Sequence, residues 1–236
     1  MSDTSNYKHI YLLPGIDGTG LLFKPLASAF GYRCRTTALS FQEEITLDDF
    51  IESASRQMPD HRALVLAESF SGPIALGLLA KYPGRFQAAI LSSTFARSPF
   101  NSFLGMNALI PKNLFGNVTL SNLLLNRFCA GSEISGSVKD LVEEVSGKIP
   151  PLVVKKRLHI LDTFDVRPLL SRISTPILYL AGLKDKLVSA GLRAELFENI
   201  PRICFKGVDG PHLLLQSKAT VCADTIMNFL ELEDSD

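Results

Sequence analysis

Apolar residues in this chain gather into short unbroken runs set between stretches of helical spacing. Lys8-His9-Ile10-Tyr11-Leu12-Leu13 ends at Pro14-Gly15, and Ala63-Leu64-Val65-Leu66-Ala67 has no polar interruption. Phe86–Ser92 and Thr175–Ala181 carry similar runs, and Cys34–Leu39 and Arg202–Phe205 are shorter candidates, about six strands in all. A strand without polar alternation is buried on both faces, as in a parallel sheet covered by helices. Between these runs lie Phe23–Phe30, Thr46–Met58, a segment with Pro73 in its first turn, Ala190–Asn199 and a last helix running to about Leu230. Thr46 is placed as an N-cap, and Asp48 and Asp49 fall in the first turn, where a helix favours negative charge. Ile74, Leu78 and Leu79 share one face of their helix, which Pro83-Gly84 ends. Strands alternating with helices predict an α/β fold with a doubly wound, mostly parallel sheet.

The rhythm breaks between Arg97 and Asp165. Pro99, Pro111, Pro150 and Pro151 separate apolar helical pieces at Asn101–Ile110, Ser121–Phe128 and Val138–Val145. A long insertion after a strand is a lid or a linker, and this one has too many leucines and phenylalanines for disorder. The expectation is a helical cap over residues 97–165, inserted after the fourth strand, on a core made of 1–96 and 166–236. Phe103, Met106 and Leu124 on the cap are expected to help wall a hydrophobic pocket or to pack the cap on the core.

Composition narrows the setting. The 236 residues, 46% of them hydrophobic, suffice for one buried core. Lys+Arg and Asp+Glu both number 24 and no long basic run stands out, so neither nucleic acid nor an anionic membrane is an expected partner. Met1–Lys8 has no apolar signal core and no stretch approaches a membrane span, so a cytosolic protein without stable membrane insertion is expected. Cys34, Cys129, Cys204 and Cys222 are scattered singly and are expected to be reduced and mostly buried. No His/Asp/Glu cluster has ligand spacing, so neither metal nor cofactor is expected.

Ser69 stands where the continuous apolar run Ala63–Ala67 turns into a helix, within Ala67-Glu68-Ser69-Phe70-Ser71. A sharp strand-to-helix turn strains the backbone at its tip and needs small residues two positions either side. Ser71 fits less well, being flanked at that distance by Pro73 and lying further from the strand. Ser69 could instead be a simple N-cap. The loop Pro14-Gly15-Ile16-Asp17-Gly18-Thr19-Gly20 could cradle a dinucleotide or offer an N–H to an oxyanion. Its glycine spacing is not Gly-x-Gly-x-x-Gly, and no acid ends the Cys34–Leu39 run, which disfavours the dinucleotide. Of the four histidines only His212 follows a Gly-Pro turn after a strand, while His9, His61 and His159 read as structural. Asp185 and Asp209 both lie in turns after late strands, where aspartate is common for its own sake.

The small-x-Ser-x-small turn, with Ala67 and Ser71 where glycines are usual, resembles the nucleophile elbow of the α/β-hydrolase family. The resemblance covers Tyr7 to Leu230 and begins at the family's third strand, without the two opening antiparallel strands of longer members. It implies a triad of Ser69, Asp185 and His212 in the family's chain order, with backbone N–H groups of Ile16 and Phe70 as oxyanion donors. Ser93-Thr94-Phe95-Ala96, where some relatives keep the acid, contains no carboxylate. A neutral serine needs an imidazole to take its proton, and a carboxylate to fix that imidazole's tautomer. The implied activity is hydrolysis of a small-molecule carboxylic ester with an apolar acyl or alkyl part, through a Ser69 acyl-enzyme. Leu13–Gly20 also resembles loops of capped acyltransferases in the superfamily, so acyl transfer to an alcohol or thioester cleavage stays open. So does a receptor that binds a ligand in a hydrolase pocket.

Overall fold

The computed structural model describes residues 8–99 and 134–234. Its strands are β1 (Lys8–Leu13), β2 (Cys34–Ala38), β3 (Ala63–Glu68), β4 (Phe86–Ser92), β5 (Ile177–Gly182) and β6 (Ile203–Val208). They form one sheet in the order β2-β1-β3-β4-β5-β6 with every neighbouring pair parallel. β3 and β5 are buried at every position, which is why neither shows polar alternation in the sequence. β6 is an edge strand, with Cys204, Phe205 and Lys206 exposed. Cys204 therefore departs from the expected burial, whereas Cys34 and Cys222 are buried; Cys129 lies outside the described residues.

The described helices are α1 (Lys24–Phe30), α2 (Leu47–Arg56), α3 (Gly72–Lys81), α4 (Gly136–Lys148), α5 (Pro151–Thr163), α6 (Ala190–Asn199), α7 (Leu214–Ser217) and α8 (Ala219–Glu233). Alternate strand residues point to opposite sheet faces. Leu64, Leu66, Ile90 and Leu180 pack with α1, α7 and α8 on one face. Val65, Ala67, Leu91 and Tyr179 pack with α2, α3 and α6 on the other. The α2 start is the expected capping box, with Asp49 N–H donating to Thr46 Oγ1 at 3.2 Å and Thr46 N–H to Asp49 Oδ2 at 2.8 Å. The C-terminal helix is not one piece: Lys218, at φ −125° and ψ 36°, separates α7 from α8.

The chain leaves β1 toward β2 on one side and β3 toward β4 on the other. Loops at the carboxyl ends of β1 and β3 therefore part, leaving the crevice where ligands bind in such sheets. At the far end of β4, Arg97 and Asp165 form an isolated antiparallel bridge, reinforced by Val166 N–H donating to Ala96 O at 2.8 Å. The two ends of the insertion therefore meet at this bridge. Within the insertion α4 contains the expected Val138–Val145 helix. The helices expected at 101–110 and 121–128, with Phe103, Met106 and Leu124, lie outside the described residues.

A hydrogen-bonded bracket supports the turn after β3. Thr94 Oγ1 donates to Ser69 O at 2.6 Å, Tyr179 Oη donates to Thr94 O at 2.8 Å, and Thr94 N–H donates back to Tyr179 Oη at 3.2 Å. Gly72, at the start of α3, lies so close to Thr94 that a Cβ there would overlap its side chain. Gly72→Ala is thus expected to lower unfolding free energy by about 1–3 kcal/mol in urea titration. Gly191→Ala on α6, whose nearest neighbour to an added Cβ is Ser189 Oγ at 3.9 Å, is the control expected to leave it unchanged or slightly raised.

Candidate active site

Ser69 begins a 3-10 turn, Ser69–Ser71, that joins β3 directly to α3. Its φ is +49°, a left-handed conformation that costs a non-glycine residue free energy and turns the side chain out of the sheet. Ala67 and Ser71 are fully buried on either side, so larger residues there would separate strand from helix. Ser71 Oγ donates to Pro14 O, which ties the loop after β1 to the turn. Ser71 is thereby engaged within the core, while Ser69 remains partly exposed. The N–H of Phe70 falls in the first turn, where helical amides lack a carbonyl partner of their own.

His212, between β6 and α7, spans two of the expected residues. Its Nε2 is 2.9 Å from Ser69 Oγ and its Nδ1 is 2.9 Å from Asp185 Oδ2. Asp185 Oδ1 accepts the N–H groups of Leu187 at 2.8 Å and Val188 at 3.1 Å, which fixes the carboxylate. Since a carboxylate only accepts, Nδ1 donates to it and Nε2 is left to accept from the serine hydroxyl. Burial alone would push the Asp185 carboxyl up, but the charge and hydrogen bond of His212 and the two amides outweigh it and hold it below the usual range. Burial likewise pulls His212 down, and Asp185, with a smaller contribution from Glu68, raises it above its ordinary value. Asp209 points to solvent and pairs with Lys184 Nζ at 3.1 Å. His9 Nε2 meets Thr37 Oγ1 at 2.8 Å, and His61 and His159 are exposed.

The loop after β1 is held from two directions. Internally, Gly18 N–H donates to Gly15 O at 3.0 Å, and Asp17 Oδ2 accepts Thr19 N–H at 3.0 Å and Thr19 Oγ1 at 2.6 Å. From above, Arg157 on α5, only 4% exposed, donates to Ile16 O at 2.8 Å, Asp17 O at 2.7 Å and Phe41 O at 2.6 Å. Gly18, at φ +67°, leaves the space that the guanidinium fills. α4 adds an apolar cover, where Val138 and Val142 pack with Ile134, Leu22 and Leu213, the last being the residue after His212. Among the described residues no group of three or more His, Cys, Asp or Glu could hold a metal ion.

The family model described as serine aminopeptidase S33 (Hydrolase_4) matches residues 40–209, more than half of the chain. The chain belongs to this family. A pimeloyl-[acyl-carrier protein] methyl ester esterase from Nitrosomonas europaea is 28% identical over 170 residues. That alignment spans 66% of this chain and 66% of the relative, just under two thirds of its length. A hydrolase from Oleispira antarctica superposes with a TM-score of 0.82 at 16% identity, covering 95% of this chain and 91% of its own. An enol-lactonase from Burkholderia xenovorans gives 0.81 at 18%, covering 96% and 92%, and a carboxylesterase from Bacillus subtilis gives 0.75 at 16%, covering 96% and 84%. These likenesses show the fold of this S33-family chain to be that of the α/β-hydrolases.

Sequence reading missed two parts of the site. Arg157 lies in Lys155-Lys156-Arg157 and looks like part of a solvated charge run. Its signal is periodicity: Val153, Arg157, Ile160, Leu161 and Phe164 share one helical face, and Ile160, Leu161 and Phe164 are in the core. Glu68 was visible as the one acid closing an otherwise apolar strand, but its contact with Gln216 joins residues far apart in sequence.

From the geometry around His212, Asp185→Asn is expected to lower kcat for ester hydrolysis by on the order of 10⁴-fold with KM little changed, because the amide favours the wrong imidazole tautomer. Asp209→Asn is expected to stay near the wild-type rate, and steady-state kinetics on both variants checks the assignment.

Proposed function

We propose that this chain is a serine carboxylic ester hydrolase acting through a Ser69 acyl-enzyme. The observation that carries the reading is the His212 ring bridging Ser69 Oγ and Asp185 Oδ2 at 2.9 Å on each side. In the first step His212 Nε2 takes the Ser69 proton as Oγ attacks the ester carbonyl, and Asp185 stabilises the imidazolium. The N–H groups of Phe70 and Ile16 donate hydrogen bonds to the developing oxyanion, an arrangement in which one donor is typically worth on the order of 10²–10³ in rate. The tetrahedral intermediate expels the alcohol with the proton returned by His212. Water, deprotonated by the same imidazole, then releases the acid.

In this reading the division is the one expected from the sequence, a cap insertion of 97–165 on a core of 1–96 and 166–236. The apolar face of α4 against Leu22 and Leu213 supports a substrate with an apolar acyl or alkyl part. Ester rather than peptide chemistry is supported by the Nitrosomonas relative, whose name specifies a methyl ester. Among the described residues no helix is long and apolar enough to cross a membrane.

A series of p-nitrophenyl esters of increasing acyl length, run beside aminoacyl p-nitroanilides, tests the reading. Esters are expected to turn over with an optimum beyond acetate and the anilides far more slowly. Ser69→Ala is expected to remove on the order of 10⁶ of kcat while the protein still unfolds cooperatively. Wild-type ester turnover in that variant would place the nucleophile elsewhere.

A further inference from the structure

Glu68, the last residue of β3 and the one before Ser69, takes no part in the relay. It is 3% exposed, lies in register with Ser92 of β4, and shares its sheet face with Leu64 and Leu66 under α7 and α8. A buried carboxylate is tolerated when donors or charges surround it. Glu68 receives one side-chain donor, Gln216 Nε2 to Oε2 at 3.1 Å. Glu68 Oε1, Gln216 Oε1 and Ser92 Oγ are buried beside it with no hydrogen-bond partner among the described residues. Two carbonyl-type acceptors left over in one carboxyl–amide contact lack a donor between them, and a proton on Glu68 Oε1 supplies it. The neutral acid then donates while Gln216 Nε2 donates back, so both ends of the contact are satisfied.

The contact is also placed to matter for the triad. Gln216 sits on α7, four residues after His212, and Glu68 adjoins Ser69, so the Glu68–Gln216 and Ser69–His212 bonds bracket one junction. We propose that Glu68 is a positioning residue whose proton closes the contact with Gln216 and whose ionisation makes His212 hold its own proton more tightly. The proposal rests on the Ser69 reading given above.

The groups that bear on Glu68 are few. Burial pushes it up to about 7, the Gln216 hydrogen bond and the His212 charge pull it down, and Asp17, from the loop after β1, pushes it further up. Cys222 on α8 is pushed up to about 12 by burial, with Glu68 adding to the rise, and stays a neutral thiol. Glu68 and His212 are therefore coupled, each favouring the charged form of the other. When an acid ionises as the neighbouring base loses its proton, the base's curve is stretched over a wider pH range than one proton requires.

The test is the pH dependence of fluorophosphonate labelling at Ser69, together with NMR titration of the His212 ring and the Glu68 carboxyl carbon. Glu68→Gln imitates the neutral acid. Wild type is expected to show an acid limb shallower than a one-proton curve. Glu68→Gln should show a one-proton limb displaced to lower pH, its share of the plateau rate at pH 6.5 rising by roughly twofold or more. Superimposable limbs would overturn the proposal, since a merely structural glutamate moves neither slope nor midpoint. The wild-type Glu68 carbon is expected to titrate between pH 6 and 8, and a carbon already ionised at pH 5 would also overturn it. That titration decides the matter even if Glu68→Gln does not fold. A wild-type chain that takes no label contradicts the Ser69 reading separately, and the NMR curves still decide Glu68.

Discussion

Holding a serine at φ +49° at the end of a wholly buried strand is the constraint on which the rest of the structure depends. Such a conformation costs on the order of 1–3 kcal/mol and survives only where the surroundings leave no alternative. Three surrounding elements do this. Thr94 grips the Ser69 carbonyl and is itself gripped by the buried Tyr179 hydroxyl of β5. Ser71 draws in Pro14 and with it the loop carrying Ile16. Gly72 leaves the space that the Thr94 side chain needs to reach the turn. Buried hydrogen bonds of this kind contribute roughly 1 kcal/mol each but are costly to leave unmade, so the network is stiff in proportion to its burial.

Two buried carboxyls act on the same imidazole and are shifted in opposite directions, because the His212 charge and the donors each receives offset burial to different degrees. Asp185 accepts two amides and an imidazole N–H, and it stays below the usual carboxylate range despite its burial. Glu68 accepts one amide from Gln216 and is pushed up to about 7. Burial disfavours the charged form of both, and the charge of His212 together with hydrogen bonds to the carboxylate reverses that for Asp185 alone. The loop opposite also shows a buried charge met by partners: Arg157 is tolerated deep in the structure because three backbone carbonyls accept its N–H hydrogen bonds.

Much of this was readable along the chain because it is local. Continuous apolar runs mark strands covered on both faces, and the α/β order with a serine between small residues follows from them. Asp185 and His212 were recognisable as residues of turns after late strands, and the structure brings His212 to Ser69 and Asp185 to His212. What escaped was whatever depends on which surfaces meet. Cys204 looked like any isolated cysteine, and its exposure follows from β6 being the last strand at an open edge. The break at Lys218 interrupts an otherwise helical pattern and sets α7 apart, which lets Gln216 reach Glu68. Arg157 carries a helical-period signal that its two neighbouring lysines obscure.

The central claim is that His212 activates Ser69 as the nucleophile. Intact-protein mass spectrometry after fluorophosphonate treatment, followed by peptide mapping, addresses it most directly. The account predicts one adduct per chain, located on Ser69 and abolished in His212→Ala. An adduct on another serine, or continued ester turnover by a chain that takes no adduct, would contradict it.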